Sequence, residues 1–328
     1  MTRTDSAETR NVSVGTTASR PTQFPRRLRG LSWLFAATLF APAALAQNPP
    51  PDYGFDFVTI RDVGNAPYWN PPPPRHFNLA HNRGSVNYEY RIARFELTTA
   101  QWVEFLNAYS DYAEPNPHFD RFWGAGRFGA VPDFTFPGPG RRWQLTSHPD
   151  AAMMPVSGLS WRMCAMYCNW LHNGKGSDPA SLLTGAYDTS TWGAWPGGNG
   201  RGFTDAPTHL PDARYWIPTL DEYQKAVYYD PNRYGPGQGG WWTNVNMSDQ
   251  PAISGAPGVG TTSAGYLPDP NDPFSGGQTP LGAYPYAQSP WGLLDTSGGA
   301  QEFTEEIWHT HLPSSRLYSG AWAGRDSF

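Results

Sequence analysis

Tyr215-Trp216-Ile217-Pro218-Thr219-Leu220-Asp221-Glu222-Tyr223 is the stretch from which the fold is read. Thr219 and Glu222 form a capping box, in which each side chain satisfies a backbone amide at the other's position. Leu220, Tyr223 and Val227 follow at helical spacing and predict a helix with one buried stripe. The same pattern occurs twice upstream. Thr98 with Gln101 caps a run carrying Trp102, Phe105, Leu106 and Tyr109. Ser160 caps Trp161–Leu171, where Trp161, Cys164, Cys168 and Leu171 share a stripe and Asn173-Gly174 ends the helix. Alternating stretches at Tyr88–Leu97 and Leu281–Tyr284 predict strands, and Asn246–Gln278 predicts a long surface insertion. A few helices, short strands and long Gly/Pro loops make an α+β domain.

The composition agrees. Thirty-five Gly, 34 Pro and 15% aromatic residues against 16% charged ones describe a loop-rich structure pinned by large rings, not a helical bundle. Arg26-Arg27-Leu28-Arg29, the apolar run Leu31–Ala44 and the Ala44-Leu45-Ala46 cleavage pattern predict a signal peptide over residues 1–46. That run is short for a bilayer, and no later segment is apolar for long enough to cross one. The expected destination is therefore the periplasm, the cell surface or the exterior. Loss of the leader removes six arginines with Asp5 and Glu8, taking the net charge from −5 to −9. An acidic chain of this kind is a poor partner for nucleic acid. Residues 47–57, with Pro49-Pro50-Pro51, read as a Pro-rich spacer, Pro71–Pro74 as a polyproline turn, and 58–328 as one domain.

Six blocks of the sequence resemble, in order, the formylglycine-generating enzyme or sulfatase-modifying factor family. Tyr90–Thr98 is similar to its opening strand, Met154–Trp161 to its Pro-Val-x-x-Val-Ser-Trp element, and Tyr167–Leu171 to the end of the following helix. Tyr215–Tyr223 is similar to Arg-Leu-Pro-Thr-Glu-Ala-Glu-Trp. Thr279–Tyr284 with Trp291–Asp295 resembles the approach to its Gly-Asn-Val-x-Glu-Trp segment, and Arg316–Trp322 resembles Arg-Val-x-Arg-Gly-Gly-Ser-Trp. The resemblance implies a C-type-lectin-like fold with little regular secondary structure. It also implies that the C-terminal strands which normally follow Trp322 are missing, because six residues remain after it.

Family enzymes oxidise a sulfatase cysteine to formylglycine with copper(I) held by two thiolates, the soft ligands that ion prefers. The catalytic pair lies beyond the element that Gly320-Ala321-Trp322 resembles, so no catalytic residue is assigned here and copper is not expected. Cys164 and Cys168 lie one helical turn apart and read as core thiols, since free cysteine is among the most buried residue types. The family's calcium sites imply oxygen ligands at Asn246 and Met247, with Asp249 close by, and at Glu302. Gly299 stands where the second site has asparagine, which weakens Glu302 relative to Asn246. Glu302 alternatively caps turn amides. The histidines, including His76, His81, His309 and His311, show no zinc spacing. The expectation is an exported, non-catalytic family member that binds a protein or glycan through exposed Trp and Tyr. The alternative is a formylglycine-generating oxidase whose catalytic tail is absent from this sequence.

Overall fold

The structure, a computed structural model, describes residues 49–69, 81–109, 129–138, 142–156, 159–192, 205–206, 208–267, 279–298, 300, 302–309 and 312–319. The expected signal peptide, Pro71–Pro74, His76, Gly299, His311 and Gly320–Trp322 lie outside these residues. Pro49–Phe328 forms one compact unit.

All three expected helices are present, and their caps explain where they begin. Ahead of α1 (Thr99–Tyr109), the Thr98 amide donates to Gln101 Oε1 at 3.1 Å and the Gln101 amide to Thr98 Oγ1 at 3.2 Å. α2 (Trp161–His172) starts on Ser160, whose hydroxyl accepts from the Met163 amide. In α3 (Leu220–Tyr228) both halves of the Thr219/Glu222 box form, at 3.1 and 2.8 Å. The helix ends follow equally local rules. Asn173 closes α2, and Gly174 takes φ +74°, a conformation that suits glycine.

Packing follows the apolar stripes. Trp102 and Phe105 of α1, both fully buried, meet Tyr167 and Trp170 of α2, with Phe105 edge-on to Tyr167 at 5.1 Å. This aromatic layer is the main core. A smaller one joins β1 (Phe57–Ile60) and β2 (Tyr90–Ala93) to α3 through Val58, Ile60, Tyr90, Ala226 and Leu293.

Each sheet among the described residues has two antiparallel strands. β1 pairs with β2, placing Phe57 opposite Ala93. β3 (Ala130–Asp133) pairs with β4 (Arg142–Leu145), and β5 (Tyr229–Asp230) with β6 (Gly240–Trp241). The long hairpin β7 (Glu302–His309) and β8 (Leu312–Ser319) sets Glu302 opposite Ser319 and packs against α3.

Two strand expectations need correction. Tyr88–Leu97 is a strand only over Tyr90–Ala93, because its partner β1 offers four residues. Leu281–Tyr284 is not a strand. The Leu281 amide docks on the Met153 carbonyl at 2.8 Å, and Gly282 at φ +82° turns the chain. Alternation over four residues was too short a signal against a proline–glycine turn. The described part of the Asn246–Gln278 segment consists of turns with isolated bridges, as an insertion should. No helix among the described residues is long and apolar enough to cross a membrane.

Candidate functional site

The thiols come first, because they bear on copper. Cys168 is buried on the inner stripe of α2, and Cys164 one turn earlier is half-buried. Burial among apolar neighbours pushes the Cys164 thiol up to about 12 and the Cys168 thiol well above the usual range, Cys164 and Glu305 adding to the latter. Both stay protonated at neutral pH. A thiol, unlike a thiolate, is a poor nucleophile and a poor metal ligand.

The second assembly is acidic and interior. Glu96, just after β2, and Glu302, at the start of β7, face one another with the Tyr223 hydroxyl of α3 alongside. Neither Glu96 oxygen nor Glu302 Oε2 completes a hydrogen bond of ordinary geometry. Burial, and then the Glu302 and Asp295 charges, hold Glu96 well above the usual carboxylate range, and burial raises Glu302 too. Asp295 is lifted by burial to about 6, although the Gly282 amide donates to it at 2.6 Å. Glu302 is half of a carboxylate pair joined across the fold. Glu96 was overlooked in the sequence because it sits inside a strand-like block with no spacing relation to Glu302.

Asn246 presents the same kind of unsatisfied oxygen. Its Oδ1 is buried without a hydrogen-bond partner among the described residues, and Asn246 and Met247 take φ +58° and +52° in succession. Two non-glycine residues running left-handed are costly and persist where the surroundings impose them. Met247 is 45% exposed and its thioether is a soft donor, so its backbone carbonyl is the group suited to a hard cation. Orphaned buried oxygens at Asn246 and Glu302 fit a hard, oxygen-seeking ion. Among the described residues, however, no group of three or more His, Cys, Asp or Glu side chains is arranged to hold a metal. Asn246 and Glu302 stand as separate candidates.

The third assembly centres on Glu305 of β7 and is absent from the sequence expectations. Its Oε1 accepts from the Tyr187 hydroxyl at 2.6 Å, from the His209 amide at 2.9 Å and from His209 Nδ1 at 2.9 Å. Tyr187 in turn accepts from the Ile217 amide at 2.9 Å. The His209 ring stacks on Trp216 at 4.9 Å and 22°. The Trp216 indole donates to Glu222 Oε2 at 3.1 Å, and Tyr88 donates to Glu222 Oε1 at 3.0 Å. Beside them Arg83 pairs with Asp221 at 3.2 Å and with Glu306. The Glu305 bond raises the His209 pKa, opposed by desolvation and aided by the charges of Glu305 and Glu222. Such a carboxylate–imidazole pair fixes the histidine tautomer. In sequence His209 is one residue of a loop, with no repeat to mark it.

Comparison with known families decides the kinship. The family model for the sulfatase-modifying factor enzyme 1-like domain matches residues 68–324. The chain belongs to this family. The family match spans β2 through β8 and so includes all three assemblies just described. Among solved structures, the crystal structure of CarF is similar, at 19% identity and a TM-score of 0.46, over 84% of this chain and 90% of that one. Curated proteins give no match.

Proposed function

We propose that this family domain is an exported binding module that does not carry out the thiolate–copper oxidation, and that it recognises a protein or glycan ligand. The observation that carries this reading is the state of the two cysteines. Both belong to the α2 packing layer with their thiols held protonated, so they do not offer copper(I) two convergent thiolates. Recognition then falls to surface aromatics. Trp69 is 70% exposed and rests on His81 at 4.4 Å, and Tyr234 is 66% exposed beside Arg233. Rings of this kind, apolar on the face and polar at one tip, suit stacking on sugars and peptides. The scaffold would be of the C-type-lectin-like type, and the leader at residues 1–46 would direct export.

Two measurements test this. Titrated with copper(I), the purified chain should bind none at stoichiometric level. Incubated with a Cys-x-Pro-x-Arg peptide, it should produce no formylglycine. Conversion that disappears in Cys164→Ala or Cys168→Ala would overturn the reading. On a glycan and peptide array, any ligand captured by the wild type should be lost with Trp69→Ala or Tyr234→Ala. Binding indifferent to both would remove the aromatic role.

Calcium would serve this module as a structural fastener, with Asn246 and the Met247 backbone offering oxygens at one candidate site and Glu302 at the other. An ion that binds only the folded state stabilises it by mass action, by about 2.7 kcal/mol at a hundred times its Kd. Calcium should therefore raise the melting temperature. Asn246→Ala should abolish most of that rise, and Glu302→Ala less of it. Calorimetric titration without calcium heat would eliminate the fastener, and a larger loss from Glu302→Ala would reverse the ranking.

A further inference from the structure

Glu305 does more than orient a histidine; it is the point at which three remote segments meet. Its own amide donates to the Pro218 carbonyl at 3.1 Å, just ahead of α3. Its Oε1 collects Tyr187 from the 183–192 loop and both the amide and ring of His209. The 208–217 segment is otherwise tied to the neighbouring loop by the Leu210 amide to the Ala186 carbonyl, 2.7 Å, and the Ile217 amide to the Tyr187 hydroxyl, 2.9 Å. Of all these connections, the ring of His209 is the one whose charge changes near neutral pH.

We propose that the Glu305–His209 pair is a proton-operated latch: the imidazolium fastens the 208–217 segment to β7, and release of its proton loosens that segment. The groups facing the ring set the direction. Glu305 comes from β7 and Glu222 from α3, both carboxylates, while Trp216 from the segment itself covers a face of the ring. Tyr187 contributes a neutral hydroxyl to the same oxygen of Glu305. Glu305 is 4% exposed and His209 keeps a quarter of its side chain in solvent. The proton can therefore exchange with water while the carboxylate cannot move away. Neutral histidine can still donate through Nδ1, but it loses the charge assistance that makes such bonds about twice as strong.

The sign follows from linkage. The folded-state pKa of His209 lies above its ordinary value of 6.5. The added stability is fully present below that ordinary value and disappears as pH rises through the raised folded value. A pH increase thus opens the latch.

His209→Gln is the informative variant, because glutamine keeps one N–H donor and never titrates. Amide hydrogen exchange at residues 209, 210 and 217 should be compared between wild type and H209Q at each pH, so that the intrinsic pH effect cancels. The wild type should be better protected near pH 6. Its advantage should fall as pH rises above the ordinary imidazole value of 6.5, by about tenfold for each unit by which the fold raises the imidazole pKa. An advantage that is flat with pH, or no advantage at all, overturns the latch. Should H209Q fail to fold, the wild-type imidazole titration by NMR decides. A midpoint above 6.5 upholds the latch, and one at or below 6.5 refutes it.

Discussion

Replacing Asn169 with alanine is expected to lower the stability of the domain by about 3–5 kcal/mol, among the largest effects of any single truncation. Asn169 is fully buried in the last turn of α2. Its Nδ2 donates to the Leu182 and Tyr187 carbonyls, each at 2.9 Å. Its Oδ1 accepts from the Ala186 amide at 2.8 Å and the Tyr187 amide at 2.6 Å. Alanine leaves two donors and two acceptors in the interior, each costing about 1–3 kcal/mol if it stays dry. The total stays below the simple sum because the loop can relax. Tyr187 hangs from this knot, so the damage should extend to Glu305 and the latch. Urea unfolding checks the figure, and a loss below about 1 kcal/mol would mean that water replaces the amide in full.

Arg162→Met is the second. Arg162 of α2 grips Asp205 by two bonds, 2.8 Å from Nε and 2.5 Å from Nη2. Both side chains are nearly solvent-free, at 2% and 5%. Trp192 covers the guanidinium at 5.3 Å. Removing one partner of such a pair leaves an uncompensated charge in the interior and costs about 3–5 kcal/mol. Replacing both partners with apolar residues of similar size should recover most of the loss. A double variant no better than R162M would show that Arg162 acts through its packing on Trp192 and not through charge.

The sequence announced its helices because caps and stripes are local. Thr219 and Glu222 lie three residues apart, and the bonds they form are the ones their spacing dictates. The aromatic core was legible for the same reason, since Trp102, Phe105 and Tyr109 share one face whatever packs against it. The candidate sites were not. Glu96 meets Glu302, and His209 meets Glu305, across segments that no periodicity connects. Glu302 was visible through family resemblance, but its environment was not. Only the fold shows that it opposes a second buried carboxylate. His209 carried no signal beyond being a histidine in a loop. The Leu281–Tyr284 error is the converse case, in which a local pattern was overruled by Gly282 turning the chain toward Asp295.

Whether the α2 cysteines pack or react can be measured directly. Native protein treated with a chromogenic disulfide reagent at about pH 8 should show neither thiol reacting, because both remain protonated, Cys168 buried and Cys164 half-buried against the α2 packing layer. Both should then react at once when denaturant unfolds the domain. Rapid modification of Cys164 or Cys168 in the folded state, with thiolate absorbance at that pH, would contradict the packing role and return copper chemistry to this helix.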